Sequence, residues 1–211
     1  MKISNLALVS TVGIFLCLPA PPAQAFPIAA AGTEGLSIYA ASTSNIIATY
    51  EGNSASYSND LYLALDASGN PGDDGNNSND LFIFNNHSSA VGSTVNLGSF
   101  DIGTELIFYI YVNNTGYSFF TGSASRNPDN HEHARVEENW AANTTLVSFE
   151  DLYNGAFIYN DLSFSFTNTS STSPDTTSPV PEPTTMTLFG LGLLGLAGIN
   201  TARTKKNVAC K

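Results

Sequence analysis

Between Lys2 and Arg203 the chain has no lysine, and its only arginines there are Arg126 and Arg135. Seventeen of the 18 acidic residues fall within residues 26–179, so this body carries a formal charge of −15 inside a chain of −11. A surface without cations offers phosphates nothing, which argues against nucleic acid and against anionic headgroups as its partners. Cysteine is equally scarce. Cys17 and Cys210 lie near the two ends, so the body has no thiol to form a disulfide or act as a nucleophile. Its stability must come from core packing or a bound cation. Heptad patterns are missing, which excludes coiled coils. Gly-x-Ser-x-Gly, phosphate-binding glycine loops and His-Glu-x-x-His are missing too, so a non-catalytic role is expected. Neither apolar run reaches the roughly 20 residues of a membrane-spanning helix.

Both ends read as addresses. In residues 1–25, Lys2 supplies the positive start, residues 6–18 the apolar stretch, and Ala23-Gln24-Ala25 a small-x-small cleavage pattern. That is a secretory signal peptide, a substrate of signal peptidase. At the other end, residues 169–179 are a Ser/Thr/Pro tract expected to be a flexible linker. Residues 180–211 then hold the triplet Pro181-Glu182-Pro183, an apolar Gly/Leu-rich helix expected over 184–200, and a basic tail over 201–211 with Arg203, Lys205 and Lys206. A short apolar helix followed by cations is a stop-transfer arrangement, with the charges left in the cytoplasm. Triplet, helix and basic tail together resemble the PEP-CTERM sorting signal of Gram-negative bacteria. The resemblance implies recognition by an exosortase, an integral-membrane protease that removes the tail. It also implies a brief stay in the inner membrane and a final place at the cell surface or in the extracellular matrix.

The body, residues 26–168, reads as all-β. Residues 61–65 and 81–84 are compact apolar strands, separated by a Gly/Asn/Asp-rich loop. Residues 106–112 form a continuous apolar run, as expected of a central strand covered on both faces. Asn113-Asn114-Thr115-Gly116 and then residues 117–121 make a hairpin signal. In Leu162-Ser163-Phe164-Ser165-Phe166 the alternation puts the apolar side chains inward and the serines outward. Residues 37–51, 93–100 and 144–149 supply further strands. No segment shows a helical stripe. The pattern predicts a single antiparallel β-sandwich or jelly roll of about eight to ten strands, with a compact barrel as the alternative.

The most unusual local chemistry is a pair of acidic clusters, Phe149-Glu150-Asp151-Leu152 and Tyr159-Asn160-Asp161-Leu162, flanking a Gly-containing connection. If that connection folds back, Glu150, Asp151, Asn160 and Asp161 converge. Crowded carboxylates repel unless protonated or bridged by a cation. A donor set made only of oxygens selects Ca²⁺ over zinc or copper. These clusters, with Asn127-Pro128-Asp129 and His133-Ala134-Arg135-Val136 upstream, resemble the DUF4114 type of exported bacterial domain over residues 126–166. Such domains carry Gly-Asp-Arg-Asp between the clusters, where this chain has Asn154-Gly155-Ala156-Phe157-Ile158. The resemblance implies surface-binding or cell-envelope roles rather than catalysis.

Other constellations compete for attention. His131-Glu132-His133 presents two imidazoles, with Glu137 or Glu138 as further ligands, but two histidines do not make a site and a polar loop is expected. Residues 66–80 are oxygen-rich yet fail the EF-hand template, and a solvated loop is expected there. Trp140, Tyr117, Phe119, Phe120, Tyr153 and Tyr159 could stack on sugar rings, though most should be core or hairpin pairs. The leading expectation is an exported surface or matrix protein associated with polysaccharide through Ca²⁺ or aromatic stacking. Two alternatives stay open: a carbohydrate-active enzyme pairing Glu137 or Glu138 with Asp161, and a ligand-free structural coat component.

Overall fold

The computed structural model describes residues 25–174. Ala23, the sorting triplet, the apolar helix and the basic cluster all lie outside the described residues. Within them the chain is nearly all β, and every strand pairing is antiparallel. The strands are β1 (Tyr39–Ala40), β2 (Ile46–Asn53), β3 (Asn59–Leu63), β4 (Leu81–Asn85), β5 (Thr94–Gly98), β6 (Phe108–Val112), β7 (Ser118–Phe120), β8 (Ala134–Ala141), β9 (Thr144–Phe149), β10 (Leu162–Thr167) and β11 (Thr169–Ser170). One 3₁₀ turn, Ala124–Arg126, interrupts them. None of the described residues forms a helix long and apolar enough to cross a membrane.

Five strands form one sheet in the order β5-β2-β10-β9-β8, and four form another in the order β4-β3-β6-β7. Their inward side chains share one core. Ile46, Ala48 and Tyr50 of β2 alternate inward, as do Phe164 and Phe166 of β10, to meet Leu61, Phe84, Phe108 and Ile110 from the other sheet. Phe108 lies on Phe166 with ring centres 4.0 Å apart. Phe164 touches Phe84, Tyr50 and Phe149 at 6.0, 5.5 and 6.3 Å. Because Phe164 is fully buried at the meeting of both sheets, Phe164→Ala removes its transfer energy and leaves a cavity. Urea unfolding should register a loss of about 3–5 kcal/mol.

The serines of β10 do not face water. Ser163 and Ser165 are both buried, and the segment ahead of β1 crosses the outer face of the five-stranded sheet at Ser163. The Ala29 N–H donates to Ser148 Oγ at 2.8 Å, and that hydroxyl lies 2.8 Å from Ser163 Oγ. Ser165 Oγ donates to Glu51 Oε1 at 2.6 Å. The crossing is so close that a Cβ on Gly52, whose φ is +139°, would sit 2.6 Å from Phe26 Cβ. The same segment covers the β8 edge, with Val136 N–H donating to Thr33 O and Gly35 N–H to Ala134 O. An edge covered in this way is not free to pair with another chain.

Two further differences concern the ends of the body. Strand β8 has no counterpart among the segments expected as strands. Only Ala134 and Val136 of it are buried, and its second half is mostly exposed, so the polar sequence gives little alternation to read. At the other end, Thr169–Ser170 pairs with Tyr39–Ala40 and is buried. The segment expected as linker therefore starts inside the folded body, and Glu138 Oε2 also accepts from Ser171 N–H and Oγ.

Candidate functional site

The acidic site follows from the register of one hairpin. Strands β9 and β10 pair with Phe149 opposite Leu162, so Glu150, Asp151 and Asp161 are the next residues at the open end. The connection then folds back on them. Asp161 N–H donates to Phe149 O at 3.2 Å, and Asp151 N–H to Asp161 Oδ2 at 2.9 Å. Glu150 Oε2 accepts from Ile158 N–H at 3.0 Å and Tyr159 N–H at 3.4 Å. One oxygen from each of Glu150, Asp151 and Asp161 falls within 4.8 Å of the others.

Burial makes this convergence costly. Glu150 and Asp151 are almost completely buried. Loss of hydration pushes the Glu150 carboxyl above its usual range, and repulsion from Asp161 adds to that against the two N–H groups that lower it. Asp151 is raised by burial and by Glu150, although Asn59 and His133 oppose the shift. Asp161 is raised by burial first and then by Asp151. Carboxyls crowded in this way favour a retained proton or a shared cation over three bare charges.

Asn59 completes the arrangement from the other sheet. It is fully buried at the start of β3, and its Nδ2 donates to Asp151 Oδ2 at 2.8 Å while its Oδ1 has no partner. A buried orphan acceptor beside a carboxylate cluster is a group that a cation would satisfy. The hydrogen bonds already described occupy Glu150 Oε2, Asp151 Oδ2 and Asp161 Oδ2. Among the described residues no N–H group engages the second oxygen of each. Those oxygens face one another, Asp161 lying within hydrogen-bond reach of both Glu150 and Asp151, and once ionised they are the three that a metal could take. Gly155 leaves the space: a Cβ there would lie 2.8 Å from Leu152 O and 3.2 Å from Glu150 Oε1. The residues therefore fit a hard oxygen-seeking cation such as Ca²⁺. A cleft of about 280 Å³, lined by Ser54, Ser56, Tyr57, Asp151, Leu152 and Asp161, opens onto the cluster.

Of the four residues read from sequence, three meet. Asn160 instead uses its backbone carbonyl, which accepts from Ser54 N–H and Ser54 Oγ, and no hydrogen bond joins its side chain to the carboxylates. Sequence reasoning missed Asn59 because it arrives from a strand 92 positions away with nothing local to mark it. The backbone also shows a feature no local pattern announces. Asn154, Phe157 and Tyr159 have φ of 52°, 49° and 60°, a left-handed conformation that bulky side chains avoid.

The connection is anchored by a second group. His133, fully buried, stacks on Phe119 with ring centres 3.7 Å apart. Its Nδ1 lies 2.9 Å from Glu150 O, and its Nε2 lies 2.9 Å from Asp129 Oδ2, which also accepts Asn154 N–H at 2.8 Å. Both imidazole nitrogens are thus engaged and neither is open to a metal. His131 turns its ring toward Phe157 instead, so His131-Glu132-His133 does not converge on a ligand.

Other candidates scatter. Glu137 Oε2 accepts Ala30 N–H and Glu138 Oε2 accepts from Ser171. Ala134 aligns with Phe149 and Leu162 and Asp161 lies one residue beyond, so Glu137 stands four residues, about 13 Å, along β8 from the level of Asp161. In residues 66–80, Asp66, Asp73 and Asp74 accept N–H groups two residues onward, while Asp80 accepts from Leu65 N–H and the Tyr109 hydroxyl. Tyr117 stacks on Tyr153 at 4.7 Å as an exposed pair, whereas Phe119 and Tyr159 are buried.

Residues 179–199 match the family model described as the PEP-CTERM protein-sorting motif. The match does not reach residues 126–166, and no significant similarity to a curated protein or to a solved structure is found. The chain thus carries a PEP-CTERM sorting signal, which implies processing by an exosortase, a membrane protease, and delivery to the surface or the extracellular space.

Proposed function

We propose that this is a non-catalytic surface or matrix protein of a Gram-negative bacterium. A signal peptide cut after Ala25 exports it, the C-terminal segment holds it in the inner membrane, and exosortase cleavage then releases or transfers the body. The observation that carries this reading is the sorting motif at residues 179–199. In the native host, replacing Pro181-Glu182-Pro183 with alanines should trap the unprocessed chain in the membrane fraction. Neutralising Arg203, Lys205 and Lys206 should disturb the same step by removing the stop-transfer charge. An unchanged split between membrane, surface and medium in both variants would remove the sorting reading.

The body itself is read as a two-layer β-sandwich stabilised by one Ca²⁺ and associated with polysaccharide. Support for the calcium comes from three converging carboxylates, Glu150 and Asp151 buried and Asp161 half-buried, and the orphan Oδ1 of Asn59 beside them. Exported modules meet calcium at concentrations where affinities of 10⁻⁴–10⁻³ M suffice. The residues on which the likeness to DUF4114 domains rests meet in the fold: Asp129 bonds His133, His133 bonds the Glu150 carbonyl, and Arg135 lies over the Tyr159 ring at 4.4 Å. Equilibrium dialysis of the full chain against calcium should find a single ion per molecule, lost in Glu150→Gln.

A further inference from the structure

We propose that the cation at Glu150, Asp151 and Asp161 keeps coordination positions open toward the neighbouring cleft, and that adjacent hydroxyls of a neutral polysaccharide fill them. This rests on the calcium reading above and gives that site its ligand.

Three observations lead there. The first is coordination. Ca²⁺ takes about six to eight oxygens, while the N–H groups engage one oxygen of each of three carboxylates and leave the other to the cluster. Even with the orphan Oδ1 of Asn59 turned to the metal, at least two positions remain for water or an exchangeable ligand.

The second is direction. Glu150 is tied from the connection side by the N–H groups of Ile158 and Tyr159, and Asp151 from the opposite sheet by Asn59. The open side carries the cleft of about 280 Å³, with Asp151 and Asp161 in its wall and Ser54, Ser56, Tyr57 and Leu152 as its other lining. Its size is close to the roughly 300 Å³ lower limit of ligand clefts. Leu152 is exposed there, so the rim combines hydroxyls with an apolar surface, as a sugar ring with its polar edge and C–H face requires.

The third is charge. Three carboxylates around a divalent cation still carry a net negative charge, and the body has no lysine. Both of its arginines are committed, Arg126 to Glu105 and Arg135 to Glu34. A carboxylate, sulfate or phosphate ligand would meet no side-chain cation at this rim. Uncharged vicinal hydroxyls bind the metal as water does, without that repulsion.

Affinity electrophoresis of the full chain, extracted in mild detergent from a host lacking exosortase, tests this. The gels contain dextran, mannan, galactan or alginate, each run in calcium and in chelator. Retardation by at least one neutral polymer in calcium, abolished in chelator, is expected. Ser56→Ile fills the cleft without touching a carboxylate, so it should keep the calcium-dependent rise in melting temperature and lose the retardation. Retardation that persists in chelator, that occurs with alginate alone, or that survives in Ser56→Ile would overturn the proposal. So would a normal calcium shift with no neutral polymer retarded, and that result would leave the metal site standing. Absence of any calcium shift in the parent protein would remove the metal site and the glycan site together.

Discussion

In chelator, the parent protein should be most stable near pH 4–5 and melt at progressively lower temperature toward pH 7, and calcium should reverse that decline. The sign follows from where the protons sit. Unfolded Asp and Glu titrate near 3.9 and 4.3, whereas burial and mutual repulsion raise Glu150, Asp151 and Asp161 in the fold. Without metal, the native state keeps protons that the unfolded chain has released. The stability this confers is complete below the unfolded values and is lost as pH rises toward the raised folded ones. Each extra bound proton gives a slope of about 1.4 kcal/mol per pH unit. Below pH 4 the trend turns over, because Glu34, Asp66, Glu105 and Asp129 are lowered in the fold and lose their contribution as they are protonated. Calcium needs the ionised carboxylates, so its effect must grow as the protons leave. At a hundredfold excess over its dissociation constant it adds about 2.7 kcal/mol, or about 5–10 °C for a chain of this size. Glu150→Gln keeps an acceptor for the Ile158 and Tyr159 N–H groups but removes the charge. It should flatten the decline in chelator and abolish the calcium shift. A melting temperature at pH 7 that is indifferent to calcium would mean the three acids are not a cation site.

How much of this was legible depends on how local each feature is. Residues 106–112 and 162–166 announced strands because their side chains are sorted by period two or by continuous apolarity, and β6 and β10 fall there. The turn at Asn113–Gly116 announced a hairpin, and Gly116, with φ of 79°, closes it by donating to Val112 O. The convergence of Glu150 and Asp151 with Asp161 was readable for the same reason, since a hairpin places the residues beyond its two strand ends together. What escaped came from elsewhere in the chain. Ser163 looks outward until the segment containing Phe26 and Ala29 is laid across it, and Ser165 until it is paired with Glu51 of β2. Strand β8 is polar because one half of it is exposed, and its pairing with β9, not its own pattern, makes it a strand. Asn59 belongs to the site through the meeting of two sheets. Asn160 was grouped with the acids by adjacency, yet the chain turns there so that its carbonyl serves Ser54.

The largest single-residue loss outside the core should come from Asp129→Ala. A carbonyl oxygen only accepts, so His133 Nδ1 must donate to Glu150 O. Its Nε2 faces the Asp129 carboxylate. Burial alone would raise that carboxyl, but the N–H groups of Asn154 and His131 and the His133 ring outweigh it and hold it below its ordinary range. Ring and carboxyl thus form a hydrogen-bonded pair shut off from solvent. Both side chains are fully enclosed. Removing the acid leaves the buried His133 Nε2 and the Asn154 N–H without their partner, at a cost of about 1–3 kcal/mol for each unsatisfied group. The damage does not stop at stability. Asp129 grips Asn154, and His133 grips the Glu150 carbonyl, so the pair fixes both ends of the strained connection that closes the acidic cluster. Asp129→Ala should consequently weaken calcium binding although it contributes no oxygen to the metal. In a double-mutant cycle with His133→Ala, the two losses should fall short of adding by about 1–3 kcal/mol, as for groups in one network. Additive losses with unchanged calcium affinity would mean that Asp129 and His133 fill space independently and that the connection is held by Glu150 alone.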